Sequence, residues 1–479
     1  MSGKQSTRRD FLTQEVAGAA ALFSAAGASA GQTGAPAKTG RALGANDRIN
    51  IAFIGNGMQF QDLLRVFQSR KQRSNDVEFL AVCDVWEPRL AYAQKESGAA
   101  KTYRDYREVL QRSDIDGVVL AVPDHWHYAM AREALLAGKD VYVEKPMTHT
   151  LDQAARLNDL VNQTKRILQV GGSGPATRLY WKINDYIKAG KMGKVLWGLI
   201  SYNRNTRSGM WDYPIPGVGE DSWPDAKVSA DNLDWNMWLG DAPKRPFSKE
   251  RYFRWRKFWD YSAGNAGDLL YHRLGTMSTM IGFDFPTRAT GMGGIYVQKD
   301  REVPDTYMTM IEYPGDYCVN MISCMANTTS APITVYGNWA TLEVIEGGQA
   351  TMSSMGDQRR AAPGEPAQPA QAQAPARPRT GAVVRPERDF LDEFKQANGG
   401  RTEVTILPEQ GPTLGDNWLD CMRTRKSPVY NVLRGYQVMA GIALGVESYH
   451  AGRMMAFDPA KRTILAAPPP HKEFPPREG

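Results

Sequence analysis

A glycine turn, a lysine and an aspartate–histidine pair are the residues of this sequence whose types and spacing could do chemistry. The turn is Gly55-Asn56-Gly57, which follows the apolar run 49–54 and precedes apolar residues at helical spacing. Such a turn lets a phosphate approach the unpaired N–H groups at the start of a helix. The pattern predicts a dinucleotide-binding turn. The alternative is an ordinary strand-to-helix turn, since Phe60 takes the place of the usual third glycine.

A second apolar run favours the dinucleotide interpretation. It spans 77–83 and ends at Asp84, where a Rossmann fold places the carboxylate that binds the ribose 2′-hydroxyl. An acid at this position favours NAD over NADP, because the 2′-phosphate of NADP would meet a like charge. We therefore predict NAD as the cofactor, with NADP as the less favoured alternative.

Three side chains could move a proton or polarise a carbonyl group. Lys145 follows the apolar run 140–143, and ligands of parallel sheets lie beyond the carboxyl ends of the strands. Asp268 and His272 are four residues apart, so on a helix they share one face. A neighbouring carboxylate would orient the histidine and keep it basic, which suits removal of a hydroxyl proton. The alternative is an i, i+4 surface ion pair.

Two further histidines lie in the segment Pro123-Asp124-His125-Trp126-His127, directly after an apolar run at 116–121. His127 could contact the cofactor or pack at the start of a helix. The H-x-H spacing of His125 and His127 could hold zinc, but no third and fourth ligands stand at metal-site spacing. We predict no metal.

The hydrophobic pattern predicts the elements that position these residues. Buried-strand runs alternate with helical patterns, which favours a parallel sheet with helices on both faces. These runs are at 49–54, 77–83, 116–121, 140–143 and 167–171. The predicted fold class is α/β, with a doubly wound Rossmann domain over 47–170.

After about residue 170 the pattern changes to alternation of apolar and polar residues, which is typical of antiparallel strands. The alternating runs are at 195–202, 306–313, 317–324 and 333–337. We predict a second, α+β domain over 171–470 with a large, mostly antiparallel open sheet. A segment rich in Pro, Ala and Gln near 358–386 is predicted to be a disordered insertion.

The N-terminal segment has the features of an export signal. Paired arginines, Arg8 and Arg9, precede a short apolar region that ends Ala28-Ser29-Ala30. We predict a twin-arginine signal peptide over 1–30, a linker over 31–46, and a periplasmic or otherwise exported protein.

Composition excludes two classes of partner. The 479 residues carry a net charge of +6, without a basic run interleaved with aromatic residues, so no nucleic-acid partner is predicted. No stretch of the predicted mature protein is apolar over the length that a membrane span requires, so no stable membrane insertion is predicted either.

In their order along the chain, these motifs resemble the glucose–fructose oxidoreductase and inositol dehydrogenase family (Gfo/Idh/MocA). The similarity runs over most of 50–458 and is greatest to the exported, sugar-directed branch. The motifs that carry it are Gly55-x-Gly57, Val82-Cys83-Asp84-Val85-Trp86, Pro123 to His127, Ala137 to Val141, Glu144-Lys145-Pro146, Arg254 to Tyr261 and Asp268-x-x-x-His272.

The resemblance implies oxidation of a secondary hydroxyl of a sugar, polyol or glycoside by bound NAD(P), or the reverse reaction; predicted export, to where little free NAD is available, favours a tightly held cofactor. It implies His272 as the acid/base, Lys145 beside nicotinamide and substrate, and Asp268 as the residue that binds substrate and orients the others. It also implies a homodimer or homotetramer formed through the open sheet. The alternatives are a redox-neutral glycoside hydrolase or lyase acting through a transient keto-sugar, and a sugar-binding protein with a structural NAD.

The predicted cofactor site comprises Gly55, Asn56, Gly57, Met58, Gln59, Asp84, Pro123, His127, Glu144 and Lys145. The chain departs from the family pattern near the predicted substrate pocket. Leu270 replaces the glycine of the D-x-G-x-H motif, Gly275 stands where a further aspartate is common, and Gly172-Ser173-Gly174-Pro175 replaces a glutamine–arginine stretch.

Overall fold

The computed structural model describes residues 44, 47–206, 211, 227–345 and 380–467. The predicted signal peptide 1–30 and all but Gly44 of the linker 31–46 lie outside these residues, so export stays a prediction. Within the described ranges, no helix combines the length and the apolar character that crossing a membrane would require.

The first sheet has six parallel strands in the order β3-β2-β1-β4-β5-β6. The strands are β1 (Ile49–Ile54), β2 (Val77–Cys83), β3 (Lys101–Tyr103), β4 (Gly117–Leu120), β5 (Asp140–Val143) and β6 (Leu168–Val170). Strand order reverses between β1 and β4, which is where such sheets bind ligands. The predicted doubly wound sheet is confirmed; the sequence pattern missed the short and mostly exposed β3.

Helices connect these strands: α1 (Met58–Ser74), α2 (Glu87–Ser97), α3 (Tyr106–Gln111), α4 (Asp124–Leu136) and α5 (Leu151–Thr164). Phe60 of α1 is fully buried and packs edge-on against Phe53 of β1, with ring centroids 5.3 Å apart. In the usual motif a third glycine lets the helix pack closely on the strand. In this protein the aromatic contact between Phe60 and Phe53 holds α1 against β1 instead.

The second sheet has ten strands in the order β14-β13-β12-β11-β7-β10-β9-β8-β15-β16. They are β7 (Val195–Ser201), β8 (Arg288–Gly294), β9 (Thr306–Tyr313), β10 (Tyr317–Cys324), β11 (Ile333–Gly337), β12 (Ala340–Ile345), β13 (Gly381–Pro386), β14 (Val404–Ile406), β15 (Met455–Asp458) and β16 (Thr463–Ala466). All neighbouring pairs are antiparallel except β7 and β10. The predicted mostly antiparallel sheet is confirmed.

The second domain also contains helices, several of which pack on one face of this sheet. They are α6 (Arg178–Lys188), α7 (Trp235–Leu239), α8 (Lys249–Phe253), α9 (Tyr271–Ile281), α10 (Leu391–Ala397), α11 (Leu414–Thr424) and α12 (Val432–Ala451). Short 3-10 turns occupy Trp255–Lys257 and Arg388–Phe390, and a π-helical turn occupies Ala266–Leu270.

The prediction of disorder is wrong for one part of the insertion. Residues 381–386 of the segment near 358–386 form strand β13, which pairs with β12 on one side and β14 on the other. Ala382, Val383 and Val384 are buried there, so this apolar end of a polar segment contributes to the sheet. Residues 358–379 lie outside the described part of the chain.

Helix α11 packs against the first sheet although it comes from the C-terminal part of the chain. Its Trp418 is fully buried and lies edge-on to Phe67 of α1 and Tyr142 of β5. Arg425, directly after α11, donates three hydrogen bonds of 2.7–2.9 Å to the buried carboxylate of Asp140. The first domain is therefore completed by a segment that the division at residue 170 assigns to the second.

We predict that Arg425→Met lowers the free energy of unfolding by about 3 kcal/mol, because the buried Asp140 carboxylate loses three hydrogen bonds from a cation. Urea denaturation of the mutant and wild type measures the difference. The matched control is Arg104→Met, since the Arg104–Glu87 pair is exposed and its loss should cost less than about 1 kcal/mol. Equal losses in the two mutants would contradict the structural role given to Arg425.

Candidate active site

A cleft of about 700 Å³ runs between the carboxyl ends of β1 and β4 and the second domain. A cavity of this size lies within the range of small-molecule sites. The predicted site residues that line it are Gly55, Asn56, Gly57, Met58, Gln59, Asp84, Pro123, Glu144, Lys145, Asp268 and His272. His127 is the predicted residue that does not.

The glycine turn forms one end of the cleft and has the geometry that a dinucleotide needs. Gly55 has φ +84°, and a Cβ there would lie 2.6 Å from the side chain of Val122. Gly57 is the N-cap of α1, whose first N–H groups have no partner within the helix. The Oδ1 atom of Asn56 is buried without a hydrogen-bond partner among the described residues. A pyrophosphate beside this turn would meet unpaired backbone donors, so the residues fit NAD.

Asp84 lies at the end of β2 beside the turn. Its Oδ2 accepts a hydrogen bond from the backbone N–H of Asn56 at 2.7 Å, and its Oδ1 accepts one from Trp86 at 2.9 Å. Burial raises the pKa of Asp84, and the nearby Arg89 opposes this. Two backbone N–H groups thus fix the Asp84 carboxylate beside the glycine turn.

Arg89 is a cleft residue that sequence reasoning missed. Its guanidinium carbon lies 5.3–5.8 Å from the ring centroids of Trp86, Tyr252 and Phe253. Tyr252 and Phe253 belong to the second domain and are far from Arg89 in the sequence. No local sequence pattern therefore predicts their contact with the guanidinium group. The aromatic side chains hold a cation beside Asp84, at the predicted adenosine end of the cleft.

His127 has a structural role in place of the predicted cofactor contact. Its Nδ1 lies 2.6 Å from the carbonyl oxygen of Pro146, and its Nε2 lies 2.9 Å from that of Val122. Burial lowers the pKa of His127 to about 4. The neutral ring has one N–H and donates it to one of these two carbonyl oxygens, so it packs between the segment after β4 and the segment that follows Lys145.

Glu144 and Lys145 follow β5 and enter the cleft. Glu144 is buried; its Oε1 accepts a hydrogen bond from Gln59 at 3.2 Å and its Oε2 accepts one from the backbone N–H of Lys145. Burial raises the pKa of Glu144, and the Lys145 ammonium opposes this. Glu144 thus links the glycine turn to the lysine.

The Lys145 ammonium makes an ion pair with Asp268 across the cleft. Its Nζ lies 2.8 Å from Oδ1 of Asp268 and 3.1 Å from the backbone oxygen of the same residue. Both side chains are largely buried, at 12% and 7% exposure. Since Lys145 follows the first sheet and Asp268 belongs to the second domain, this pair fixes the two halves of the cleft relative to each other.

Two further donors hold the Asp268 carboxylate, and neither was predicted. Arg256 donates from Nε to Oδ1 at 3.0 Å, and Trp211 donates from Nε1 to Oδ2 at 3.0 Å. Burial acts to raise the pKa of Asp268, but the Arg256 and Lys145 cations hold it well below its usual range. Asp268 is therefore a fixed anion.

His272 lines the same cleft. The i, i+4 spacing predicts a hydrogen bond between His272 and Asp268, but the structure has no such bond. Neither ring nitrogen of His272 bonds to a described residue, and its Nδ1 is buried. Burial lowers the pKa of His272 well below 6.5, the Lys145 ammonium acts in the same direction, and Asp268 opposes them. The imidazole is neutral at pH 7 and can accept a proton.

The π-helical turn gives the physical reason for this difference. Asp268 lies in the turn Ala266–Leu270, and His272 lies in the first turn of α9. The wider π turn changes the angular spacing that the prediction assumed, and such turns are frequent at functional sites. Lys145 and Arg256 donate to Oδ1 of Asp268 and Trp211 donates to Oδ2, so both carboxylate oxygens have partners other than the histidine.

Two residues that differ from the family motif, Leu270 and Gly275, lie outside the lining of the cleft. Leu270 is fully buried and belongs to the hydrophobic core. A Cβ at Gly275 would lie 3.2 Å from the hydroxyl of Tyr430 and 3.9 Å from Pro175, outside the cleft lining. By contrast, Gly172 and Ser173 of the replaced glutamine–arginine stretch do line the cleft.

The arrangement provides a neutral imidazole, a lysine ammonium held by a fixed carboxylate, and an arginine at one end of a cleft that begins at a dinucleotide turn. A neutral imidazole can take a hydroxyl proton, and a fixed ammonium can stabilise negative charge that develops on an oxygen. The geometry thus suits removal of a proton from an alcohol beside a bound nicotinamide.

Two sequence models of one oxidoreductase family match the chain. The model described as oxidoreductase family, NAD-binding Rossmann fold (Gfo/Idh/MocA), matches residues 49–172. The model for the C-terminal alpha/beta domain of this family matches residues 181–309. Together the two matches take in more than half of the 479 residues.

Relatives with curated names match over part of their length. Glycosyl hydrolase family 109 protein 2 of Shewanella sp. (strain ANA-3) is 31% identical over 216 residues, which are 42% of this chain and 46% of that protein. An uncharacterized oxidoreductase of Schizosaccharomyces pombe is 32% identical over 178 residues, which are 36% of this chain and 47% of that protein. The chain thus spans about half the length of these relatives.

Solved structures share the fold at low sequence identity. The WlbA dehydrogenase from Bordetella pertussis, in complex with NADH and UDP-GlcNAcA, has a TM-score of 0.57 at 15% identity, covering 86% of this chain and 99% of that chain. Levoglucosan dehydrogenase in complex with NADH has a TM-score of 0.57 at 16% identity, covering 88% and 100%. With both of its domains matched in order, this chain belongs to the Gfo/Idh/MocA oxidoreductase family, whose first domain is an NAD-binding Rossmann fold.

Proposed function

We propose that this protein is an NAD-dependent dehydrogenase that oxidises a secondary hydroxyl of a sugar, polyol or glycoside. The observation that carries the proposal is the cluster of Lys145, Asp268 and His272 at the far end of a cleft that begins at the glycine turn. The solved structures of similar fold include a levoglucosan dehydrogenase and a dehydrogenase in complex with a nucleotide sugar, which supports a carbohydrate substrate.

Each residue of the cluster has a separate task in this proposal. NAD, when bound, supplies the acceptor for the hydrogen on carbon. His272 takes the hydroxyl proton, because its imidazole is neutral and its buried Nδ1 has no hydrogen-bond partner among the described residues. The Lys145 ammonium stabilises the alkoxide that develops, and Asp268 holds Lys145 in place.

A second candidate is a redox-neutral glycoside hydrolase or lyase that acts through a transient keto-sugar. The relative named as a glycosyl hydrolase family 109 protein favours it, although the similarity covers less than half of either chain. Both reactions begin with oxidation of a hydroxyl. They differ in the product, which is an oxidised sugar in the first case and a released aglycone in the second.

We predict that Lys145→Ala and His272→Ala each reduce turnover roughly 100-fold to 10,000-fold, because each removes a group that acts on the hydroxyl. Both mutants should still bind NAD, since the glycine turn is intact. The assay incubates protein and NAD with a panel of sugars and glycosides and measures product mass. A product lighter by two hydrogens supports the dehydrogenase, and a free aglycone supports the alternative.

The matched controls for this experiment are Lys101→Ala and His450→Ala, which remove exposed side chains outside the cleft. Both should retain wild-type turnover. Loss of NAD binding in the Lys145 and His272 mutants, or full turnover in them, would contradict the roles assigned to these residues.

We also propose that NAD is preferred to NADP. Asp84 follows β2 beside the glycine turn, the position from which a Rossmann carboxylate binds the ribose 2′-hydroxyl, and a 2′-phosphate would meet its charge in a buried environment. The Arg89 cation beside Asp84 would attract a phosphate once that acid is removed. The choice between the two nucleotides therefore depends on Asp84.

We predict that the wild type binds NAD at least about tenfold more tightly than NADP, a difference of about 1.4 kcal/mol, and that Asp84→Ser removes this preference. Calorimetric titration of both nucleotides measures the ratio. The matched control is Asp62→Ser, which removes an acid from the same cleft near Glu144 and should leave the ratio unchanged. A wild type that prefers NADP would contradict the proposal.

The open face of the second sheet supports a homo-oligomer. Helix α12 packs on the face of β9 that carries Thr309 and Ile311. The other face presents Met308 and Met310, which are 41% and 48% exposed, and Met292 of β8, which is 68% exposed and pairs with Met308. Apolar side chains that are exposed on neighbouring strands favour burial against a second copy of the chain.

We predict that the purified protein is a dimer or tetramer and that Met308→Arg with Met310→Arg reduces its mass to that of a smaller assembly. Light scattering measures the mass, and circular dichroism checks that the mutant is folded. A monomeric wild type would contradict this proposal.

A further inference from the structure

Asp124 is a buried carboxyl group of the cleft that the proposed function leaves without a role. It is the first residue of α4, directly after Pro123 at the end of β4, and is 2% exposed. Its Oδ2 accepts a hydrogen bond from the hydroxyl of Ser262 at 2.7 Å. No described residue donates to its Oδ1, and Asp124 lines the cleft, so this oxygen is left for groups inside the cleft.

The charged groups that face Asp124 come from three other elements. Arg256 belongs to the 3-10 turn Trp255–Lys257, Asp268 belongs to the π turn, and Lys145 follows β5. Gly267 of the π turn lies beside Asp124, since a Cβ there would be in van der Waals contact with Oδ2 at 3.8 Å. Asp124 therefore lies with the Lys145–Asp268 pair at the reaction end of the cleft.

The surroundings of Asp124 allow its charge to change near neutral pH. Burial raises the pKa of Asp124 to about 7; Asp268 acts in the same direction, while Arg256, Ser262 and Lys145 oppose it. Asp268 and His272, the neighbouring titratable groups of the cleft, differ from Asp124 in their pKa shifts. The pKa of Asp268 is held well below its usual range and that of His272 is lowered far by burial, so neither group keeps a proton at pH 7.

We propose that Asp124 is a further acid–base group of the reaction, which holds the proton that is released when the substrate hydroxyl is oxidised. The proposal rests on the proposed function. The O–H and C–H bonds of the alcohol break and its C=O bond forms. The hydrogen on carbon leaves with its electron pair to oxidised nicotinamide, and the hydroxyl proton passes through His272 to the carboxylate of Asp124. Reduction of a carbonyl substrate returns this proton.

The sign of the pH dependence follows from this role. Below the pKa of Asp124 the carboxyl group already carries a proton and cannot take up another. Oxidation of the substrate should therefore become faster as the pH rises through about 7, and reduction of a carbonyl product should become slower over the same range.

The kinetic experiment compares wild type, Asp124→Asn and Ser262→Ala in single-turnover oxidation from about pH 5 to about pH 9. Asp124→Asn keeps the hydrogen bond from Ser262 but cannot take a proton. It should slow oxidation by about 100-fold and remove the rise near neutral pH. Ser262→Ala removes a bond to the charged form, so the rise should remain and move to higher pH. An unchanged rate and pH profile in Asp124→Asn would overturn the proposal.

A second measurement does not depend on turnover. Infrared difference spectra of wild type against Asp124→Asn, recorded without nucleotide or substrate, detect the C=O stretch of a protonated carboxyl group. We expect a band that is absent from Asp124→Asn and disappears from the wild type as the pH rises through about 7. Absence of the band already at about pH 5, close to the pKa of a solvated carboxyl group, would overturn the proposal.

The two proposals fail in distinguishable ways. An active wild type with an equally active Asp124→Asn variant contradicts only the role of Asp124. A wild type that leaves every sugar and glycoside unchanged contradicts the proposed function, and the infrared titration then still decides whether Asp124 carries a proton at neutral pH.

Discussion

The ion pair between Lys145 and Asp268 is the interaction on which the reaction end of the cleft depends. It joins the segment after β5 to a π turn of the second domain, so it sets the distance between the two walls. Both charges are largely buried. Removal of Lys145 would leave the Asp268 carboxylate with Arg256 as its remaining ion-pair partner, and removal of Asp268 would take from Lys145 the carboxylate that holds it across the cleft. The pair is therefore a constraint on the fold as well as a part of the site.

The remaining polar groups divide into fixed charges and groups that can change protonation. Arg256 and Trp211 complete the hydrogen bonding of the Asp268 carboxylate, which leaves it as a permanent anion. The Nδ1 atom of His272 has no hydrogen-bond partner among the described residues. The same holds for the Oδ1 atom of Asp124, whose Oδ2 is bonded by Ser262. A site with this division can hold a substrate oxygen against a fixed cation while the proton moves between other groups.

Much of the fold and part of the site could be predicted from the sequence because they depend on local patterns. Buried β-branched runs fix the strands of the first sheet, and the glycine turn follows from two residues. Contacts between distant segments have no such pattern. Arg89 is held by aromatic rings of the second domain, and α11 completes the first sheet from the C-terminal part of the chain.

The errors at the site have particular physical causes. The pairing of Asp268 with His272 assumed α-helical spacing, whereas Asp268 lies in a π turn and is bound by Lys145. Of the two alternatives for His127, the structure shows packing in the first turn of α4, where both ring nitrogens lie beside backbone carbonyl oxygens. Asp124 lies in a segment whose sequence signal is its two histidines, and it is bonded by Ser262 of the second domain, a contact between distant segments that has no sequence pattern.

The most direct test of the account is isotope transfer within the protein. The purified protein, loaded with oxidised NAD, is mixed with a sugar that carries deuterium on each oxidisable carbon, and the nucleotide is then released and weighed by mass spectrometry. We predict that deuterium moves from the sugar to the nicotinamide in the wild type. Retention of all deuterium on the sugars and glycosides tested, with NAD bound, would contradict the claim that this cleft transfers hydride.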